Sequence, residues 1–230
     1  MNHRLRRSHR ARGSCYTRSV NRPRITLRDA RPLREEGQRF ASYLDTIAPF
    51  YRVMLGRQVV DTLSTAFTWP DHELSFQNTI FAEWDGDIVG MISGYATGRI
   101  PRSVGSPLRK ALGGRAVRMR IMATLMARQQ WFLGAYVEGD FYVQGFAVDE
   151  AFRRRGIGTL LMDAMEGRAA SSGSRRLILN VDAKNEGARR FYDRRGMTVE
   201  TGWPKLPCVP SFVLRLIKPL TAATPVERPQ

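Results

Sequence analysis

Regular alternation begins at Arg24–Ala30, where RITLRDA switches between apolar and polar residues and predicts a first strand. From Pro32 to Leu63 the apolar residues recur at helical spacing in two runs, broken around Pro49. Thr68–Ser75, TWPDHELS, reads as a loop. Two apolar runs then flank Asp85-Gly86, which predicts a hairpin. Asp140–Val148, DFYVQGFAV, is the next strand. After it, Ile157, Leu160, Leu161, Ala164 and Met165 follow i, i+3, i+4, i+7, i+8 and predict a helix with that stripe inward. RRLILNVDA is a strand, and NEGARRFYDRRG a helix with Asn185 as N-cap and Gly196 just past its end. MTVETG and SFVLRLIK close the series as strands.

Hairpins at both ends and a strand–helix–strand–helix run between them predict an α/β fold. Its sheet is mixed and mostly antiparallel, with helices on both faces. The folded domain is expected at 24–218, between a disordered basic tail at 1–23 and a frayed Pro-rich end at 219–230. Residues 97–137 differ in character. A Pro/Gly-punctuated basic loop leads into a helix around Arg115–Leu133 that holds Met119, Met122 and Met126. This stretch is an expected helical insertion between two strands.

Composition narrows the chemistry. Hydrophobic residues make up 43% of 230, enough for a packed core. No run of about 18 apolar residues is present, so no membrane span is expected. Cys15 and Cys208 form neither a disulfide framework nor a metal cluster, and a reducing cytoplasm fits. Only His72 lies outside the N-terminal tail, which argues against a histidine triad or a zinc site. Of the 37 basic residues, eight are arginines in residues 1–24, where no acid occurs; the other 29 against 21 acids leave +8 of the net +16. The tail has no apolar core and is not a secretory signal. A nucleic-acid-binding arm is one reading of it. The domain does not interleave aromatic with basic residues as an RNA-binding sheet does, so nucleic acid is a disfavoured partner.

The chemistry concentrates at Glu150–Ala170, EAFRRRGIGTLLMDAMEGRAA. Arg153, Arg154 and Arg155 meet a Gly-x-Gly step at a helix N-terminus, which is already electropositive. Such a start offers free N–H groups, Gly156 and Gly158 keep the backbone bare, and Thr159 adds a hydroxyl. The arrangement suits a phosphate or pyrophosphate. It lacks the Lys-Ser/Thr of a P-loop and the third glycine of a dinucleotide fingerprint.

Arg-x-x-Gly-x-Gly at a helix start after FAVDEAF resembles the GNAT superfamily of acyl-CoA-dependent N-acetyltransferases. Asn185–Met197, NEGARRFYDRRGM, is similar to the family's second motif, Asn-x-x-Ala-x-x-x-Tyr-x-x-x-Gly-Phe, with Met197 in place of Phe. The resemblance covers roughly 25–218. It implies acetyl-CoA as co-substrate, with its pyrophosphate on the amides from Arg154 through Ile157 to Thr159. It implies splayed central strands, with the pantetheine arm along Phe146, Ala147 and Val148. Gln144-Gly145 would mark a break in the ladder. It further implies direct attack of a primary amine on the thioester, with the Val148 backbone N–H on the carbonyl and Tyr192 as general acid. Asn185 and Ala188 would line the cofactor beside Tyr192, and Arg194 or Arg195 could reach a further phosphate.

The base is the open position. Some relatives carry a glutamate where this chain has Asn180, which takes no proton. Asp182 lies two residues on, on the same strand face. Glu83, Glu138 and Asp140 are further candidates. The insertion is a candidate lid, packing helix or dimer contact, and Trp203–Pro210 a second loop facing the acceptor. The expected acceptor is a small-molecule or peptide amine, and no metal is implied. A CoA-binding sensor without catalysis is the alternative inside the family.

Overall fold

A computed structural model describes residues 25–98, 124, 136–204 and 211–220. The expected N-terminal tail, residues 221–230, most of the insertion and most of the Trp203–Pro210 loop lie outside the described residues. Pro219 and Leu220, expected in a frayed end, are held instead, Pro219 in the last strand and Leu220 by its N–H on Arg175 O at 2.9 Å. The elements in chain order are β1 (Ile25–Asp29), α1 (Arg34–Ile47), α2 (Phe50–Leu55), α3 (Val59–Phe67), β2 (Thr79–Trp84), β3 (Asp87–Ala96), β4 (Asp140–Val148), α4 (Ile157–Ser171), β5 (Arg176–Asp182), α5 (Glu186–Asp193), β6 (Thr198–Trp203) and β7 (Val213–Pro219). The predicted helical pair before the hairpin is three helices, because a short 3₁₀ turn at Gly56–Gln58 follows the end of α2.

The seven strands form one sheet in the order β1-β2-β3-β4-β5-β7-β6. All neighbours are antiparallel except β4 and β5. Asp85 and Gly86 both take positive φ, the requirement of a two-residue type I′ turn, and they close the β2–β3 hairpin as predicted.

Each face of the sheet has its own core. Phe40, Leu44, Leu63 and Phe67 of α1 and α3 pack on Phe81 and Met91. On the other face Leu161, Met162, Met165 and Tyr192 pack on Ile92, Phe141, Val143, Leu177 and Leu179. The buried stripe of α4 is Ile157, Leu161, Met162, Met165 and Ala169. Leu160, expected inward, is 42% exposed. Leu161 and Met162 together already meet the sheet, and one residue earlier the helix has turned its side chain past the edge of that contact.

The site depends on how β4 leaves β5. Their parallel pairing runs only from Asp140–Arg176 to Val143–Leu179. The ladder to β3 slips at the same point, since Ser93 opposes Gly145 and Gly94 opposes Val143, leaving Gln144 as an extra residue. Such a bulge bends its strand and strengthens its twist. Gln144–Val148 therefore runs on β3 alone, with a gap between β4 and β5.

Candidate active site

The gap is lined by backbone on one side. Asp149 N donates to Val89 O at 2.9 Å. In this register Val148 opposite Gly90 is a non-hydrogen-bonded position, so its N–H points away from β3, into the gap. The same alternation turns the N–H of Phe146, opposite Ile92, the same way.

Two helices close one face of the gap. Gly156 caps α4 in the left-handed region, at φ 83°, and offers no side chain. The first-turn amides of Ile157, Gly158 and Thr159 therefore lack a side-chain cap and point outward at the positive end of the helix. Arg154 also takes positive φ, 61°. Left-handed residues in such a turn align backbone N–H groups into an anion-binding concavity. A Cβ on Gly158 would lie 3.2 Å from the tip of the Phe146 ring, which would have to give way by a few tenths of an ångström.

The three arginines have different surroundings. Arg153 Nε donates to Val148 O at 3.2 Å and holds the turn to the end of β4. The Arg155 guanidinium sits 4.9 Å from the Trp84 ring centre and 5.4 Å from that of Phe152. Trp84 ends β2, so this cation–π contact ties the turn to the hairpin. Arg154 faces solvent. Of the later pair, Arg195 bonds Glu166 at 3.0 Å and Asp163, linking α5 to α4, while Arg194 is exposed.

Asn185 caps α5, its Oδ1 accepting from Ala188 N at 3.0 Å. Phe146, Phe191 and Tyr192 form an aromatic cluster, the Phe146 ring centre lying 5.5 Å from Phe191 and 6.3 Å from Tyr192. Tyr192 is 6% exposed, and its hydroxyl has no hydrogen-bond partner among the described residues. Burial pushes the phenol well above its ordinary value, so it is a proton-bearing group at neutral pH. The structure thus brings together Phe146, Val148, Gly156, Ile157, Gly158, Ala188 and Tyr192.

The acids named from sequence are placed elsewhere. Asp182 is exposed and accepts from Lys184 N at 2.7 Å, closing a turn. Asn180 faces the α1–α3 side of the sheet, away from Tyr192. It donates to Tyr142 OH at 3.2 Å and accepts from Arg215 Nε at 3.3 Å. Asp140 is held by two Arg176 bonds of 2.8 and 2.9 Å. Glu83 pairs with Arg28 at 2.6 Å, and Glu138 is exposed. His72 is a structural lock: Nε2 donates to Ala66 O at 2.9 Å and Nδ1 accepts from Leu74 N at 3.2 Å.

Sequence reasoning missed Glu73, inside the loop that His72 shapes. Tyr95 OH donates to its Oε2 at 3.1 Å. Burial raises this carboxyl to about 7. A signal was present in the flanking His72 and Leu74, polar and apolar neighbours that could both turn inward, but not in Glu73 itself.

The family model of the Acetyltransferase (GNAT) family matches residues 44–197, and the chain belongs to that family. Among individual proteins, a mycothiol acetyltransferase of Corynebacterium diphtheriae is 42% identical over 62 residues. That match spans 27% of this chain and only 20% of the relative. A solved acetyltransferase is 24% identical and shares the fold with a TM-score of 0.60, over 85% of this chain and all of its own. An N-acetyltransferase from Staphylococcus aureus Mu50 does so at 0.55, with 18% identity, over 84% of this chain and all of its own. Among the described residues no helix is long and apolar enough to cross a membrane.

Proposed function

We propose that the chain transfers an acetyl group from acetyl-CoA to a primary amine, with the thioester in the gap between β4 and β5. The observation that carries this is the parting of the strands at Val143–Leu179, beside an uncapped helix start and a buried, proton-bearing tyrosine. The pyrophosphate rests on the amides of Ile157–Thr159, with Arg154 the arginine free to reach it. Arg153 and Arg155 hold the turn in shape. The pantetheine amides pair with the backbone of Phe146 and Val148, which β5 has left unpaired.

The resident parts then divide the work. The Val148 N–H polarises the thioester carbonyl. The Phe146–Phe191 cluster excludes water, which strengthens that hydrogen bond. Tyr192 protonates the leaving sulfur; burial keeps its phenol protonated and available for that transfer at neutral pH.

The test is calorimetric titration with acetyl-CoA of the protein and of Gly156→Glu. A Cβ at Gly156 meets nothing within 4 Å in the fold, and the side chain it carries stands at the cradle. Binding by the first and loss of at least tenfold by the second are expected. No binding by the folded parent protein refutes the proposal.

A further inference from the structure

Four tyrosines and a carboxylate gather on the α1–α3 face of the sheet, where β4 parts from β5. Tyr95 of β3 donates to Glu73 and lies 3.2 Å from Tyr136 OH. Tyr136 stacks on Tyr142 of β4 with ring centres 5.4 Å apart, and Tyr142 stands edge-on to Tyr95 at 5.9 Å. Tyr142 also accepts from Asn180 across the last paired rungs of β4 and β5. Next along β4, the bulged Gln144 donates to Tyr51 OH at 3.3 Å. Its Oε1 is buried without a partner among the described residues. These groups line the opposite face of the sheet from Tyr192 and the helix start, at the closed end of the same gap.

Glu73 is unusual within this cluster. It is partly buried, and among the described residues it has no cationic partner and its Oε1 accepts no hydrogen bond. An unpaired carboxylate costs free energy in such a place unless a ligand supplies the charge. Tyrosine ring faces favour a cation there as well. A primary amine arrives at neutral pH as an ammonium ion and must lose a proton before it can attack. Asp182 closes an exposed turn, and Asn180 takes no proton.

We propose that Glu73 is the general base that takes this proton, with the ammonium bound between its carboxylate and the Tyr142–Gln144 stretch of β4. This inference rests on the acetyltransferase reading. Glu73 accepts one ammonium proton and passes it to solvent. The amine lone pair forms the C–N bond and the C–S bond breaks. The departing thiolate takes the Tyr192 phenolic proton, and the second proton lost from nitrogen restores the phenol. The sum is amide, free CoA thiol and one proton released. Among the described residues the groups facing Glu73 are the phenols of Tyr51, Tyr95, Tyr136 and Tyr142, with His72 its neighbour in the chain. Burial raises the Tyr51 and Tyr95 phenols, with the charge of Glu73 adding to it, and lowers the His72 imidazole, so these three are uncharged near pH 7. Glu73 itself is raised by burial to about 7.

Two amine probes test this against acetyl-CoA: phenethylamine, charged at pH 7, and aniline, neutral there. Glu73→Gln keeps the acceptor for Tyr95 and removes the base. Its kcat/KM for phenethylamine should fall about 10²–10⁴-fold, while that for aniline stays within about threefold. For the wild type, kcat/KM for phenethylamine should rise with pH through about 7. Tyr95→Phe, which removes a bond favouring the carboxylate, should move that limb to higher pH. Equal loss on both amines, an unmoved limb in Tyr95→Phe, or a wild type that binds acetyl-CoA and acetylates neither probe would each overturn the assignment. Failure to bind acetyl-CoA in calorimetry would instead remove the acetyltransferase reading, and this inference with it.

Discussion

Replacing Glu73 by Gln should stabilise the protein at high pH and leave it nearly unchanged at low pH. The folded-state carboxyl sits at about 7 against an ordinary 4.5, with burial the larger cause and the Tyr95 bond opposing it. A group raised on folding binds its proton more tightly in the native state. Native stability from this group is therefore full below 4.5 and is lost as pH climbs toward 7. At about 1.4 kcal/mol per pH unit, the ceiling on that loss is roughly 3 kcal/mol. Partial solvent access at Glu73 brings the expectation down to about 2 kcal/mol. Gln has similar volume, accepts from Tyr95 OH, and does not titrate. Urea unfolding at pH 5, 7 and 8.5 reads the difference. With a slope of about 2–3 kcal/mol/M, the variant's midpoint should exceed the wild type's by somewhat under 1 M at pH 8.5 and match it near pH 5. His72 titrates in the opposite sense: its lowered value makes stability fall as pH drops below about 6.5. It is present in both proteins, so the comparison removes it. A midpoint difference that is the same at every pH would refute a raised Glu73 carboxyl, and with it the electrostatic basis for its role as a base.

Tyr192→Phe should keep acetyl-CoA affinity within about threefold and lower kcat about 10²–10⁴-fold, read by calorimetry and by thiol release. Arg176→Ala leaves Asp140, whose side chain is 3% exposed, without its two guanidinium bonds. Because Arg176 keeps 31% of its side chain in water, the loss should be about 3 kcal/mol, the low end for breaking a buried pair, and a urea melt shows it. Gly156→Ala adds a methyl group to open space but places it on a backbone at φ 83°. Strain alone should then cost about 1–2 kcal/mol in the same assay, and a larger loss would point to a contact not accounted for.

The order of elements and the bare Gly-x-Gly helix start were legible in the sequence because both are short-range. Alternation, helical spacing, the Asp85-Gly86 turn and the Asn185 cap each depend on residues within a few positions of one another. Gly-x-Gly at a helix start carries its own chemistry wherever the helix packs. What each side chain does there depended on contacts that no local pattern encodes. Arg155 lies over Trp84, 71 positions earlier in the chain, a contact that ties the turn to the hairpin and that no local pattern announces. Leu160 satisfies the helical stripe and still faces water, since the orientation of α4 on the sheet is set by packing. The gap itself arises from a bulge at Gln144 and a strand pairing that stops at Val143. Glu73 shows the division most clearly. In the sequence it is one acid in a polar loop. Only the fold removes it from bulk water, sets Tyr95 against it and places no cation beside it among the described residues, and proton affinity follows from that environment rather than from residue type.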